Sequence, residues 1–152
     1  MSEDRAGMPC WQFVTPMLPV LDVRRAQSYY RDVFGFRIAW IWREEVGAVY
    51  NDRTEIFLVR AEAPITPSCS FVRVEDADAV LAVYRERGAR IVEEIASHPW
   101  GMREFTVEDE HGHRFRIGHS HGAVVSPALD EPGPDGVRLG RGRRETDAGE
   151  RG

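Results

Sequence analysis

The sequence predicts an α+β fold built from two consecutive βαβββ modules, over residues 13–60 and 69–119. The segment Val20–Phe36 contains the end of a strand, a capping Asp, an amphipathic helix and a terminating Gly, and Val74–Gly88 repeats this order 54 residues later. Short stretches of alternating apolar and polar residues, bounded by turn residues, follow each helical segment and indicate strands. A repeat of this kind indicates one fold unit used twice.

The composition is that of an ordinary soluble protein, with 152 residues, 42% hydrophobic and 30% charged. No apolar run approaches the roughly 18 residues that cross a bilayer, and the N-terminus lacks the features of a secretory signal. We therefore expect a cytoplasmic protein with no membrane partner. The net charge of −5 argues against nucleic-acid binding. Cys10 and Cys69 lack metal-knuckle spacing, and Cys69 is expected to be reduced and packed.

In the first module, Phe13–Val20 is the expected edge strand because it contains two prolines. Asp22 is the predicted N-cap of a helix that Gly35 ends. The apolar face of this helix comprises Ala26, Tyr29, Tyr30, Val33 and Phe34. Gly47 is expected to break the chain between strands, which are predicted at Phe36–Trp42, Ala48–Tyr50 and Glu55–Val59.

The second module repeats this order after the proline-containing linker Ala61–Ser68. Asp76 is the predicted N-cap and Gly88 the stop of its helix, and Gly112 is the expected left-handed residue of a hairpin turn. Its strands are predicted at Cys69–Val74, Arg90–Ile95, Arg103–Val107 and His113–Ile117. Residues 1–12 are expected to be flexible, and residues 121–152, which lack aromatic residues, to be a disordered tail after a domain spanning 13–120.

Two stretches, LPVLDVRRAQSYYRDVFGF and PWGMREFTVEDEHGHRFRI, resemble the vicinal oxygen chelate superfamily, which includes glyoxalase I, extradiol dioxygenases and the bleomycin-resistance proteins. The resemblance implies that the paired modules form a curved, cup-shaped mixed sheet. In metal-dependent members, the first and last strands of each module supply ligands, usually His or Gln, Glu, His and Glu, to a divalent ion in the cup.

By the family pattern, the four ligand positions correspond to Thr15, Phe57, Cys69 and Arg116. None is a histidine or a carboxylate, and Arg116 places a cation where the ion would bind. The resemblance is therefore closest to the bleomycin-resistance-like members, and we predict no metal and no cofactor. The five histidines are expected to be exposed residues near turns, namely His98, His111, His113, His119 and His121.

Alternation along the strands separates two faces. The apolar set should face the helices and comprises Leu18, Val20, Ile56, Leu58, Val72, Val74, Phe115 and Ile117. The mixed set should line the cup and comprises Thr15, Met17, Glu55, Phe57, Cys69, Phe71, Arg73, Arg114 and Arg116. Within the cup, Glu55 is expected to pair with Arg114 or Arg116.

These features predict a small-molecule binding protein that resembles the bleomycin-resistance proteins and sequesters an aromatic or antibiotic-like ligand in the cup of a homodimer, with no catalytic residue. The predicted ligand-binding residues are Met17, Trp40, Trp42, Glu55, Phe57, Phe71, Trp100, Met102, Arg114 and Arg116. Trp40 and Trp42 fit a core or dimer contact equally well. The resemblance implies a cationic ligand, whereas Arg103, Arg114 and Arg116 favour an anionic or carbonyl-bearing one.

Two alternatives stay open at this point. One is a divergent lyase, isomerase or oxygenase of the superfamily, with metal ligands elsewhere or with a metal-free mechanism that uses Cys69 or Glu55. The other is a regulatory or interaction module whose cup is closed by Phe57, Phe71 and Arg116.

Overall fold

The computed structural model describes residues 7–122 of the chain. The chain divides into two units, and Trp11–Gly122 forms the one that carries every described helix and strand. Of the other unit, Met1–Cys10 with Ala123–Gly152, only residues 7–10 are described, so the predicted flexible N-terminus and disordered tail lie largely outside the described residues. No helix in the described range is long and apolar enough to cross a membrane.

The first module contains one helix and four strands, β1 (Met17–Val20), α1 (Val23–Asp32), β2 (Arg37–Trp42), β3 (Val46–Asn51) and β4 (Thr54–Arg60). The strand order is β1-β4-β3-β2, with β1 and β4 parallel and the other pairs antiparallel. The side chain of Asp22 accepts a hydrogen bond from the Arg25 amide at 3.0 Å and caps α1. Gly35 reverses the chain after the helix with φ +75°.

The second module repeats this arrangement with β5 (Cys69–Arg73), α2 (Ala77–Glu86), β6 (Arg90–Ser97), β7 (Met102–Glu108) and β8 (Arg114–Ser120). Its strand order, β5-β8-β7-β6, is that of the first module, again with the outer pair β5 and β8 parallel. Asp76 caps α2 through the Ala79 amide at 3.1 Å, and Gly88 follows the helix with φ +78°. The predicted α+β fold of paired βαβββ modules is confirmed.

The apolar strand faces and the two helices share one core. Tyr30, Phe34, Phe105 and Phe115 are buried in it, and the Phe34 and Phe115 rings lie 6.0 Å apart although they belong to different modules. Aromatic pairs at this separation add to the stabilisation from burial alone. The residues predicted to face the helices are all buried in this core or packed against it, so the face assignment is confirmed.

Gly47 lies inside β3 and does not interrupt the sheet, contrary to the sequence prediction. A Cβ atom at Gly47 would lie 2.6 Å from Nε2 of Gln27 on α1. Because the glycine leaves this space, Gln27 reaches the strands and donates to the carbonyl oxygens of Trp40 at 2.8 Å and Ala48 at 3.2 Å. The glycine therefore allows close packing of helix on sheet.

Cys69 is exposed, so the expectation of a packed cysteine is wrong. Cys69 begins β5, an edge strand of its sheet, and its side chain lies on the face opposite the helices.

Two strands begin later than predicted, β1 at Met17 and β8 at Arg114. The parallel pairing of β1 with β4 and of β5 with β8 starts at these residues, so Thr15 and His113 lie before it.

The histidines of the β7–β8 hairpin join the two modules, and the expectation that they are exposed turn residues is wrong. His113 is 0% exposed. Its Nδ1 accepts a hydrogen bond from the Ser68 amide at 3.0 Å, so its Nε2 carries the proton and donates to the Pro19 carbonyl oxygen at 2.7 Å. His111 Nε2 accepts from the Leu21 amide at 3.1 Å, next to the start of α1. Alternation cannot reveal these contacts because they depend on how the hairpin docks against the other module.

Candidate functional site

The strand faces opposite the helices carry two separate pockets, one on each sheet. The β5–β8 pocket has a volume of about 390 Å³ and is lined by Phe71, Arg73, Trp100, Met102, Glu104 and Arg116. The β1–β4 pocket has a volume of about 510 Å³ and is lined by Met17, Trp42, Glu45, Val46, Val59, Arg60, Ala61 and Glu62. Of the predicted ligand-binding residues, the β5–β8 pocket contains Phe71, Trp100, Met102 and Arg116, and the β1–β4 pocket contains Met17 and Trp42. The other four line neither pocket, namely Trp40, Glu55, Phe57 and Arg114.

An ion pair between Glu104 and Arg116 lies in the β5–β8 pocket. Glu104 Oε1 is 2.5 Å from Arg116 Nη2, and Glu104 is only 4% exposed. His98 Nε2 lies 4.0 Å from the same carboxylate oxygen. Gly118, which faces Glu104 across the β7–β8 register, has no side chain, and a Cβ there would approach Glu104 Cβ to 2.8 Å. The space at Gly118 therefore accommodates Glu104.

Sequence reasoning missed Glu104, although the alternation of β7 places it on the pocket face. Phe105 and Val107 of this strand are buried in the core, so Glu104 and Thr106 must point the other way. The signal that was missed is a carboxylate whose position in the strand alternation puts it on the same face as the predicted cup residues. From there it can pair with Arg116 on the neighbouring strand β8.

Trp100 projects from the tight turn between β6 and β7. The turn is closed by a 2.8 Å hydrogen bond from the His98 amide to the Met102 carbonyl oxygen, and Gly101 adopts φ +82°. The Trp100 indole stacks on the His98 ring with centroids 4.2 Å apart and planes 7° from parallel. Trp100 stays 48% exposed, so His98 fixes the indole and leaves much of it open to a ligand.

Trp40 and Trp42 extend from β2 on the first sheet. Trp40 packs edge-on against Phe57 with centroids 5.3 Å apart, and the Arg43 guanidinium lies 4.6 Å from the Trp42 ring centroid. Trp40 is 42% exposed and Trp42 is 51% exposed, so the interpretation of these residues as core is wrong. Of the two, Trp42 lines the β1–β4 pocket.

The ion pair predicted for Glu55 in the cup is not observed. Arg114 lies 3.8 Å from Glu108 and Arg116 pairs with Glu104, so the expected pairing of either with Glu55 is wrong. Glu55 belongs to β4 of the first sheet, where it lies opposite Tyr50. Carboxylates in β7, next to β8 in the same sheet, therefore pair with these arginines instead.

Arg103 faces α2 and not the pocket, so it is wrong to count it among the charges that favour an anionic ligand. Its guanidinium makes two 2.8 Å hydrogen bonds to the Asp78 carboxylate. These bonds lower the pKa of Asp78 and raise the pKa of Arg103. The residue before Glu104 thus points to the opposite side of the sheet, as strand alternation requires.

Comparison with protein families decides the relationship of the chain to known proteins. Residues 12–117 match the model of the Glyoxalase/Bleomycin resistance protein/Dioxygenase superfamily. The chain belongs to this superfamily. A comparison with curated proteins found no match.

Solved structures of the superfamily fold are similar throughout the described domain. TioX from Micromonospora sp. ML1 aligns with a TM-score of 0.63 at 23% identity, covering 74% of this chain and 100% of that one. The bleomycin-binding protein from Streptomyces verticillus, complexed with copper(II)-bleomycin, aligns with a TM-score of 0.62 at 21% identity, covering 76% and 99%. Lactoylglutathione lyase from Agrobacterium tumefaciens aligns at 0.61 with 17% identity, covering 72% and 94%. These likenesses show the fold.

The residues that the sequence resemblance assigns to the superfamily's metal-ligand positions do not fit a divalent ion. Phe57 has no donor atom, and the guanidinium of Arg116 is already paired with Glu104. Thr15 and Cys69 are not the His, Asp or Glu donors that such ions prefer in open catalytic sites. Within residues 7–122, no group of three or more His, Cys, Asp or Glu side chains is placed to hold a metal ion.

Proposed function

We propose that this protein binds and sequesters a planar aromatic or antibiotic-like small molecule, without a metal ion, in a cup that a second copy of the chain completes. One observation carries the proposal. At a position where metal-dependent members of the superfamily place a ligand, this chain has Arg116, paired with the buried Glu104 in a pocket with aromatic walls. The site offers stacking surfaces and fixed charges, which suit binding better than metal-assisted chemistry.

Exposed aromatic side chains on both pocket faces support binding. Phe71 is 46% exposed, and Trp100 and Trp42 are exposed to a similar degree. Large apolar groups clustered on a surface usually mark a place that a ligand or partner covers. Stacking on each ring contributes about 0.5–1.5 kcal/mol beyond the area buried. With volumes of about 390 Å³ and about 510 Å³, each open pocket has room for a ligand with more than one ring.

The solved structures support the antibiotic-like character of the ligand. The Streptomyces verticillus protein, similar along 99% of its own length, is a bleomycin-binding protein. For the present chain, copper(II)-bleomycin and metal-free bleomycin are therefore direct probes, together with planar aromatic compounds of varied charge.

Calorimetric titration of the full chain with these probes tests the proposal. We expect saturable binding of at least one probe, and we expect Trp100→Ala and Trp42→Ala to weaken it by removing a stacking surface from one pocket each. The matched control is Tyr29→Phe, because Tyr29 lies on α1, packs against the shared core and lines neither pocket. Elemental analysis of the purified protein is the second measurement.

Two results would contradict the proposed function. One is stoichiometric nickel, zinc, iron or manganese that stays bound after dialysis, since this would show a metal site in the chain. The other is the absence of saturable binding across the whole panel in a protein that denatures cooperatively and is therefore folded.

A further inference from the structure

The two pockets carry opposite excess charge. The β5–β8 pocket has two guanidinium groups, Arg73 and Arg116, against the single carboxylate of Glu104. The β1–β4 pocket has two carboxylates, Glu45 and Glu62, against the single guanidinium of Arg60. In a chain with a net charge of −5, the excess positive charge of the β5–β8 pocket is a local exception. A pocket focuses the potential of the charges that line it.

Arg73 supplies the uncompensated positive charge. It is the last residue of the edge strand β5 and is exposed. Its partner across the strand pair is Gly118, so no side chain of β8 lies beside it in the register. Arg73 forms no ion pair with any described residue, while the other two charged groups of the pocket pair with each other.

Arg116 supplies a second guanidinium to the β5–β8 pocket, and Glu104 holds it in place. The Nη2 atom of Arg116 donates a hydrogen bond to the buried carboxylate of Glu104, which holds this end of the group in the pocket. The side chain keeps 41% exposure, so part of the guanidinium faces the open pocket. Its Nε–H is buried and has no acceptor within the described range. An unmatched buried donor is destabilising, and such costs are typical of functional positions.

We propose that the β5–β8 pocket selects an aromatic carboxylate, an inference that rests on the proposed function. The carboxylate group pairs with Arg73 and the exposed part of Arg116, and the ring stacks on the Trp100 indole. A carboxylate matches the planar fork of a guanidinium with two parallel hydrogen bonds, which a neutral or cationic group cannot form. Phe71 and Met102 provide the remaining apolar wall.

The test compares three probes with the same ring system, naphthalene-2-carboxylate, 2-naphthamide and 2-naphthylmethylammonium. Calorimetry on the full chain measures the affinity of each at low salt and again at high salt. We expect the carboxylate to bind roughly tenfold tighter than the amide, which corresponds to one charge-assisted hydrogen bond. We also expect its affinity to fall as salt screens the arginines.

Three variants locate the effect. Arg73→Met should weaken naphthalene-2-carboxylate by about tenfold. Arg103→Met is the matched control and should leave this affinity unchanged, because Arg103 pairs with Asp78 on the opposite side of the sheet. Glu104→Gln removes the charge that competes for Arg116 and should strengthen binding of the carboxylate, a gain that impaired folding cannot produce.

The outcomes separate this inference from the proposed function. If 2-naphthylmethylammonium binds tighter than the carboxylate, or if Arg73→Met has no effect on the carboxylate, the charge selection is wrong while binding itself stands. If none of the three probes binds, this inference is overturned, and the proposed function is then judged by the wider panel that includes bleomycin.

Discussion

The hydroxyl group of Tyr30 donates a 2.6 Å hydrogen bond to Oδ2 of Asp109, and this contact joins the two modules. Tyr30 lies in the last turn of α1, and Asp109 begins the hairpin turn between β7 and β8. Both residues are buried. Oδ1 of Asp109 also accepts the amides of His111 at 2.8 Å and His113 at 2.9 Å. One carboxylate thus shapes the turn and binds it to the helix of the other module.

Replacing Tyr30 by Phe should destabilise the fold. The substitution leaves the buried Asp109 carboxylate without its side-chain donor, which costs about 1.5–3 kcal/mol in the free energy of unfolding. Urea denaturation measures this change. Tyr29→Phe is the matched control, since the Tyr29 hydroxyl has no hydrogen-bond partner within residues 7–122. Equal stability of the two variants would show that the bond to Asp109 contributes nothing.

Stability should fall in alkali because of Tyr30. Burial, followed by the charge of Asp109 and the hydrogen bond to it, raises the pKa of Tyr30 above its ordinary value of 10.0. Above about pH 10 the unfolded chain loses the Tyr30 proton while the folded chain keeps it, so the folded state binds more protons and stability decreases by about 1.4 kcal/mol per pH unit. Below that pH the contribution is complete.

Unfolding measured from about pH 9 to pH 11 in the wild type and in Tyr30→Phe isolates this effect. Burial also raises the pKa values of Tyr29 and Tyr84, but both proteins share those groups. The wild type should therefore lose stability more steeply than the variant. Parallel curves would contradict the prediction.

Gly118→Ala should impair both the fold and the β5–β8 pocket. The added Cβ would lie 2.8 Å from Glu104 Cβ and 2.9 Å from the Arg103 carbonyl oxygen, which is backbone and cannot move alone. Overpacking of this kind costs about 1–3 kcal/mol. Because Gly118 lies on β8, the strand that carries Arg116, the clash should also displace that guanidinium and weaken aromatic-carboxylate binding. Urea denaturation and calorimetry measure the two effects.

Gly122→Ala provides the control for this substitution. A Cβ at Gly122 would come no closer than 3.9 Å to the Cα of Gly101, an ordinary contact. Its stability and ligand affinity should match the wild type. Unchanged stability of Gly118→Ala would mean that β7 and β8 can separate without cost.

The protein should be a homodimer. Trp40, Trp42, Phe71 and Trp100 leave about half of their surface exposed on the pocket faces of one chain, and a second copy would cover part of it. Sedimentation velocity across the micromolar range should give a mass twice that of the 17.3 kDa chain. A monomer at every concentration would contradict the completed cup.

Local patterns in the sequence were sufficient to predict the elements. Asp22 and Asp76 each cap the helix that follows, and Gly35 and Gly88 each end it with positive φ, as predicted. The buried strand positions also follow the predicted alternation. Such features depend on interactions within a few residues of chain, so the residue types alone reveal them.

The candidate site could be predicted only in part. The aromatic residues that line the pockets, Trp42, Phe71 and Trp100, were all among the predicted ones, because residue type and a position on a strand face or in a connecting turn suggest them. Trp40 and Phe57, also predicted, line neither pocket. Glu104 was missed, Glu55 was given the wrong partners, and Arg103 was wrongly counted among the charges that favour an anionic ligand. Ion pairs depend on which strands become neighbours and on which face each side chain takes. Gly47 was misassigned for a similar reason, since only the packing of α1 shows why a glycine is needed within β3.

The sequence by itself therefore determined the two-module fold and the superfamily, since both are properties of a repeat and of residue types along it. Only the tertiary structure decided that the Arg116 guanidinium is held by a buried Glu104, that Arg73 keeps an unpaired charge among the described residues, and that His113 joins the modules. These are contacts between segments distant in the chain. Their free energy depends on distance and burial, and neither quantity exists until the chain has folded.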